Sequence, residues 1–439
     1  MFAYYVKVAL HNTQRNKVLA ALMVLAIAVG IGASMTTLTV MHLLSGDPLP
    51  GRSQHIYYPQ IDVNPQSKGR EPLDMLDYRT AMDLWSSDKA DQQALVANSM
   101  VKVRTPYSTR PALMLPMVST TSDFFSMFDV PFRYGQAWSK SDDASRTRVA
   151  VISSRLNDKL FGGRNSVGKT LRLADSDVRI IGVLDAWRPS PLFYKVRGGR
   201  FTDGDTSAFY KKTDDVFMPF AASLEVNAGN FQAFTCWSAP DPNEDLRNAP
   251  CVWVALWARL NSAAKVNAYR SYLQNYADQQ KAAGRIKYAD DIRLRSLMQW
   301  LDFNRVVPSN VKLQTALAFS FLLICLTNVV GLLLAKFLRH SGEIGLRRAL
   351  GATRTAVFFQ CLIESAIIGL LGGLGGLLLT LFGLYLVRLQ PVAYADLAHM
   401  DVSMFLVTFA LALATSLLAG ALPALRASLT PTALQLKLL

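Results

Sequence analysis

Residues 18–44 contain no Asp, Glu, Lys or Arg. A helix of that length, rising about 1.5 Å per residue, crosses the ~30 Å hydrocarbon core of a bilayer with turns to spare. Three further uncharged runs, 313–335, 365–387 and 402–422, each reach the ~20 residues that a spanning helix needs. Helices of a soluble core rarely stay uncharged for so long. The first run far exceeds the ~7–15 residues of a signal-peptide core, so it reads as an uncleaved anchor. With 51% hydrophobic and 18% charged residues, the chain reads as a four-span membrane protein.

Lys and Arg in the short flanking segments set the orientation. Lys7, Arg15 and Lys17 precede the first run, and Lys336, Arg339, Arg347, Arg348 and Arg354 fill the connection between the second and third. Both segments are expected in the cytoplasm, with both termini inside and residues 45–312 outside. The full division is a cytoplasmic amphipathic helix at 1–17, spans at 18–44, 313–335, 356–387 and 402–422, a cytoplasmic loop at 336–355, a short outer loop at 388–401 and a cytoplasmic tail at 423–439. The formal charge of +14 does not indicate a nucleic-acid partner. The outer segment holds 35 basic against 28 acidic residues in a mixed sequence, and much of the remaining excess is the topology signal; the non-protein partner is the lipid bilayer.

The outer segment alternates strand-like and helix-like stretches: a helix at 72–86, strands at 95–103, 112–118, 149–153 and 178–183, and a helix at 263–283 stopped by Gly284. An α+β domain of this length buries its own core, and two subdomains are expected. Residues 194–215, rich in Gly, Lys, Arg and Asp, read as a loop. Cys236 and Cys251 flank a Pro- and Asp-rich loop; an oxidising compartment would allow a bridge, and buried free thiols are the alternative.

Gly163-Arg-Asn-Ser-Val-Gly168-Lys169-Thr170 fills every specified position of a phosphate-binding loop. Such a loop leaves a strand and opens a helix, so that backbone N–H groups meet the phosphates. Here helix-like residues precede the glycines and strand-like residues follow, so the segment reads as a tight turn without nucleotide. HExxH, GxSxG and spaced Cys/His clusters are all missing from the sequence, so neither a catalytic site nor a metal is expected. Small residues cluster in two spans, Gly30 and Gly32 in the first and Gly369, Gly372, Gly373 and Gly376 in the third. They let another helix approach closely, within one protomer or across a dimer seam.

The connection between the second and third spans is the most informative stretch. Glu343 and Arg347 are four apart beside Arg348, and Gly351 stops the helix; Ile344, Leu346 and Leu350 suit a helix that presses on something. Glu343-Ile-Gly-Leu-Arg-Arg-Ala-Leu-Gly-Ala-Thr-Arg354, followed by Gln360, Glu364 and the Gly-rich span, resembles the FtsX-like permease family, which includes the MacB-type exporters and the lipoprotein-releasing permeases. Asp123-Phe-Phe-Ser-Met-Phe, Gly135, Val149-Ala-Val-Ile-Ser153, Leu160-Phe-Gly-Gly, Val167-Gly-Lys-Thr-Leu-Arg-Leu and Ile181-Gly-Val-Leu resemble the periplasmic core of the same MacB-type proteins.

The resemblance implies a permease of the type VII ABC class in a bacterial inner membrane. It implies a second permease, identical or related, two copies of a cytoplasmic ATPase that carries the ATP and Mg, a membrane-fusion adaptor and a TolC-like outer-membrane channel. The start of the chain seventeen residues before the first span gives the expectation of a separate ATPase polypeptide. On the same resemblance Glu343, Ile344, Arg347, Arg348, Leu350, Gly351 and Arg354 form the ATPase-coupling surface. The expected function is mechanical export of a peptide, antibiotic or other natural product. A lipoprotein-releasing permease or a regulator of a cell-wall hydrolase would share the layout.

Overall fold

The computed structural model describes residues 17–67, 71–106, 111–196, 206–241, 245–400 and 402–429. The amphipathic helix expected at 1–17 lies almost wholly outside these residues, as does the end of the tail. Two compact units emerge. One holds the first span and the chain from Val307 onward; the other is Gly46–Val306.

The membrane unit has four helices long and apolar enough to span: Lys17–Ser45, Ser309–Arg339, Arg354–Arg388 and Val402–Leu429. Each outruns its uncharged core, because helix geometry continues into polar residues until a cap or turn stops it. Its core packs Met23, Ile27 and Ile31 of the first span against Leu322, Val329 and Leu333 of the second and Ile368 of the third.

The glycines make this packing close. A Cβ on Gly372 or Gly376 would lie 2.6 or 2.8 Å from the Cγ2 of Ile27 or Ile31 in the first span, and one on Gly369 or Gly373 would strike Ser416 or Ala412 in the fourth. Gly30 faces Leu322 and Cys325 of the second span, and Gly32 faces Leu379 of the third. The small-residue faces therefore bring together helices of one protomer.

In the other unit, strands β1 (Ile56–Ile61), β2 (Gln92–Arg104), β3 (Leu113–Thr120), β4 (Phe132–Gly135), β5 (Val149–Ile152), β6 (Thr170–Leu173), β7 (Ser176–Leu184), β8 (Val216–Pro219), β9 (Thr235–Cys236), β10 (Cys251–Val252), β11 (Ala255–Arg259) and β12 (Ile292–Ser296) form two sheets. The large sheet runs β12-β1-β11-β2-β3-β8-β5-β7-β4, with β6 paired to both β2 and β7. Among the described residues, only β3–β8 and β5–β7 pair in parallel.

One sheet thus runs through both expected subdomains. A Val/Ile/Leu core around β2, β5, β6, β7 and β8 lies at one end. Toward the other, Tyr58, Trp257 and Trp300 pack tilted or edge-on, with ring centroids 4.6 to 5.5 Å apart.

Helices α1 (Tyr78–Ser86), α2 (Ser154–Phe161), α3 (Ala263–Ala282) and α4 (Leu297–Phe303) pack against the large sheet. The helix expected from residue 72 starts later. Asp77 caps it, accepting from the Thr80 N–H at 3.2 Å, while Leu76 and Val254 exchange backbone hydrogen bonds in a short β-bridge. The residue just before β11, an interior strand, thus claims the residues before the cap. Of the segment 194–215, the described residues are partly interior: Tyr194, Phe209 and Tyr210 are buried, and Lys195 is paired with the buried Asp214.

Candidate functional site

The connection between the second and third spans folds as a helix, Ser341–Ala349, termed here the loop helix. It is joined to the second span by a single turn at His340, whose Nδ1 lies 2.9 Å from the Lys336 carbonyl oxygen. Its far end shows why Leu-Gly-Ala-Thr-Arg is suited to a sharp corner. Gly351 takes φ +103°, where a side chain is strained, and the Gly351 and Ala352 N–H groups donate to the carbonyls of Arg348 and Arg347. Two residues later Thr353 caps the third span, accepting from the Ala356 N–H at 3.2 Å.

The loop helix has two faces. Outward lie Glu343, Leu346, Ala349 and Leu350, with Leu346 56% and Leu350 81% exposed, and Arg354 and Phe359 follow as exposed residues on the next helix. Inward lie Gly345 and Ile344, the latter packed on the membrane core. Arg347 also turns inward, donating to Gln360 Oε1 of the third span at 3.0 Å. Arg348 is half-buried. The seven residues expected to form one coupling surface therefore do not share a face: Glu343, Leu350, Gly351 and Arg354 are exposed, Ile344 and Arg347 turn inward, and Arg348 is half-buried.

Beneath the loop helix is a contact that sequence reasoning did not single out. Lys336 Nζ and Glu364 Oε1 are 2.5 Å apart, with side chains only 2% and 6% exposed. The sequence signal was present, since Glu364 is the single acidic residue between Glu343 and Asp396, and a lone ionisable group in a spanning helix calls for a partner.

The remaining sequence-flagged residues lie in the other unit. Gly163, Gly168, Lys169 and Thr170 form the turn from α2 to β6, with the glycines at φ +76° and +87°, and the Lys169 ammonium sits 4.9 Å from the centroid of the Phe161 ring. The element order is helix, turn, strand, the reverse of a phosphate loop. Cys236 and Cys251 are bonded as a disulfide across β9 and β10, with Cα atoms 4.0 Å apart. Among the described residues no group of three or more His, Cys, Asp or Glu is placed to hold a metal ion.

The family model of the MacB-like periplasmic core domain matches residues 20–276, more than half the chain, and that of the FtsX-like permease C-terminal region matches residues 315–431. The chain belongs to the MacB/FtsX-like family of ABC permeases. Its Gly46–Val306 unit is accordingly a periplasmic domain set between the first span and the later three. The permease is 22% identical over 362 residues to the macrolide export ATP-binding/permease protein MacB 2 of Aeromonas hydrophila, covering 79% of this chain and 48% of that one. It is 25% identical over 311 residues to the pyoverdine export ATP-binding/permease protein PvdT of Pseudomonas aeruginosa, covering 70% and 40%. The chain spans about half the length of the curated relatives it matches. Among solved structures, the periplasmic region of MacB from Actinobacillus actinomycetemcomitans aligns with a TM-score of 0.37 at 10% identity, covering 58% of this chain and 95% of that one.

Proposed function

We propose that this permease is the membrane subunit of an ABC exporter in which an ATPase acts on the loop helix from the cytoplasm and the periplasmic domain does the work on cargo. The observation that carries the reading is the two-faced loop helix. Leu346 and Leu350 offer an apolar surface to a partner, while Ile344 and Arg347 bind the same helix to the spans, so that force applied outside is felt inside. Both termini then lie in the cytoplasm, as the Lys and Arg distribution favours.

The names of the relatives, macrolide and pyoverdine exporters, support a secreted natural product or peptide as cargo. They also favour export over lipoprotein release or hydrolase control; on this reading the permease assembles with a second permease, identical or related, two ATPase copies, an adaptor and an outer-membrane channel.

The test is affinity purification of the full chain with mass spectrometry of retained proteins, repeated for Leu346→Asp with Leu350→Asp. Wild type should retain an ATP-binding cassette protein, together with an adaptor, and the double variant should lose the ATPase while keeping a wild-type unfolding midpoint. Retention of the ATPase by the folded double variant refutes the outer face as the coupling surface, and a wild-type complex without any ATPase refutes the functional reading.

A further inference from the structure

The buried pair under the loop helix is an unexpected use of charge. Lys336 stands one turn before the end of the second span, and Glu364 lies ten residues into the third. Among the described residues, neither Lys336 Nζ nor Glu364 Oε1 has a hydrogen-bond partner beyond the other. Charges this incompletely satisfied are poor stabilisers, and replacing such a pair with apolar side chains of similar volume is often neutral or favourable. Stability therefore does not explain why the two charges are there.

Geometry offers an explanation. Gln360 and Glu364 are one turn apart on the same face of the third span. Arg347 of the loop helix takes the first, at 3.0 Å, and Lys336 of the second span takes the second, at 2.5 Å. A cavity of about 20 Å³, enough for a single water, lies among Lys336, His340, Glu343, Arg347, Cys361 and Glu364. Two directional contacts on one helix face can both be made in only one register of the three helices, whereas an apolar seam can slide.

We propose that Lys336 and Glu364 are positioning residues that lock the second span, the loop helix and the third span into one register, so that a push on the loop helix moves the third span instead of rocking the loop helix alone. This rests on the functional reading above, in which force enters at the loop helix.

The test compares three forms of the full chain: wild type, the neutral pair Lys336→Met with Glu364→Leu, and the exchanged pair Lys336→Glu with Glu364→Lys. Two readouts are taken. One is the alkylation rate of Cys361, which is buried and lines the cavity, referenced to the buried Cys325. The other is cargo-stimulated ATP hydrolysis by the copurified complex.

The neutral pair should keep its unfolding midpoint, gain Cys361 reactivity, and lose stimulation by roughly tenfold, within the usual range of coupling between sites; the exchanged pair should restore both. A neutral pair with wild-type Cys361 protection and wild-type stimulation overturns the proposal. If the neutral pair does not fold, the exchanged pair decides, and recovery of folding without recovery of Cys361 protection and stimulation also overturns it. Cys361 labelling is read on the permease alone, so it judges the register lock even where no ATPase is retained, a result that would refute the functional reading instead.

Discussion

Gly372→Ala should loosen the membrane unit even though alanine is the better helix former. The added Cβ would sit 2.6 Å from Ile27 Cγ2, 2.7 Å from Ile27 Cβ and 3.3 Å from the Val24 carbonyl oxygen. Ordinary contact begins near 3.4 Å. Rotating Ile27 moves its Cγ2 away but leaves its Cβ fixed to the first helix, so the two helices must part by about 0.7 Å at that point, at a cost of about 1–3 kcal/mol.

The gain in helix propensity, about 1 kcal/mol, obscures this cost unless it is subtracted. Gly331 supplies the reference: it lies in the second span, and a Cβ there meets nothing within 4 Å. The difference between Gly372→Ala and Gly331→Ala isolates the packing term.

The chain carries its own probes for the measurement. Of its four cysteines, two are in the disulfide, which leaves Cys325 and Cys361, both buried in the membrane unit. A dye that fluoresces on thiol alkylation therefore follows the opening of the spans. All seven tryptophans lie between Trp85 and Trp300, so intrinsic fluorescence follows the periplasmic domain separately.

At roughly 2–4 °C per kcal/mol for a unit of this size, the thiol midpoint of Gly372→Ala should fall about 2–12 °C below that of Gly331→Ala, with the tryptophan midpoint unmoved. In an Ile27→Gly background, which removes both offending carbons, the difference should vanish. Equal thiol midpoints for the two alanine variants, or a difference that survives Ile27→Gly, would refute the close-approach argument.

Removing the disulfide with Cys236→Ser and Cys251→Ser frees a loop whose ends are 15 positions apart in sequence. The chain-entropy cost is about 3 kcal/mol, so the tryptophan midpoint should drop while thiol labelling of Cys325 and Cys361 holds; an unchanged tryptophan midpoint would show that the bridge constrains nothing. Asp143 gives a pH signature. Burial raises its carboxyl above the ordinary range although the Ser122 N–H and the Trp138 indole N–H donate to it at 2.8 and 2.9 Å. The folded protein then holds this proton more tightly than the unfolded chain, so the contribution to stability is full below the unfolded pKa near 3.8 and is lost as pH rises through the raised folded value. The stability of wild type relative to Asp143→Asn should accordingly fall as pH increases across that window; a relative stability that climbs with pH would reverse the sign.

How much of this was legible in the sequence follows the range of the forces involved. The first span was legible because absence of charge over 18–44 is a local property, and the helix Lys17–Ser45 adds one residue at each end. The strand read at 95–103 became Gln92–Arg104, since alternation marks the middle of a strand and partners decide its ends. The false phosphate loop was resolved by element order, again local. Asp77 was a local signal missed in favour of the residues before it, and Leu76 shows why: its backbone is claimed by Val254, distant in sequence.

The same contrast divides the coupling site. Leu346, Leu350 and Gly351 were found because a helix, its apolar positions and its stop lie within a dozen residues. Arg347 was paired in the sequence with Glu343, four residues before it, and placed on the coupling surface by the resemblance, but its partner in the fold is Gln360, beyond the corner at Gly351. Lys336 and Glu364 are separated by the whole loop helix, and only the crossing of two spans brings them to 2.5 Å. Each had a blander local reading, one as a topology charge and the other as part of a motif. A pair whose members are individually unfavourable in an apolar span makes sense only when both are seen together. That is the physical reason a coupling joint shows its outer surface in the sequence and its inner lock only in the fold.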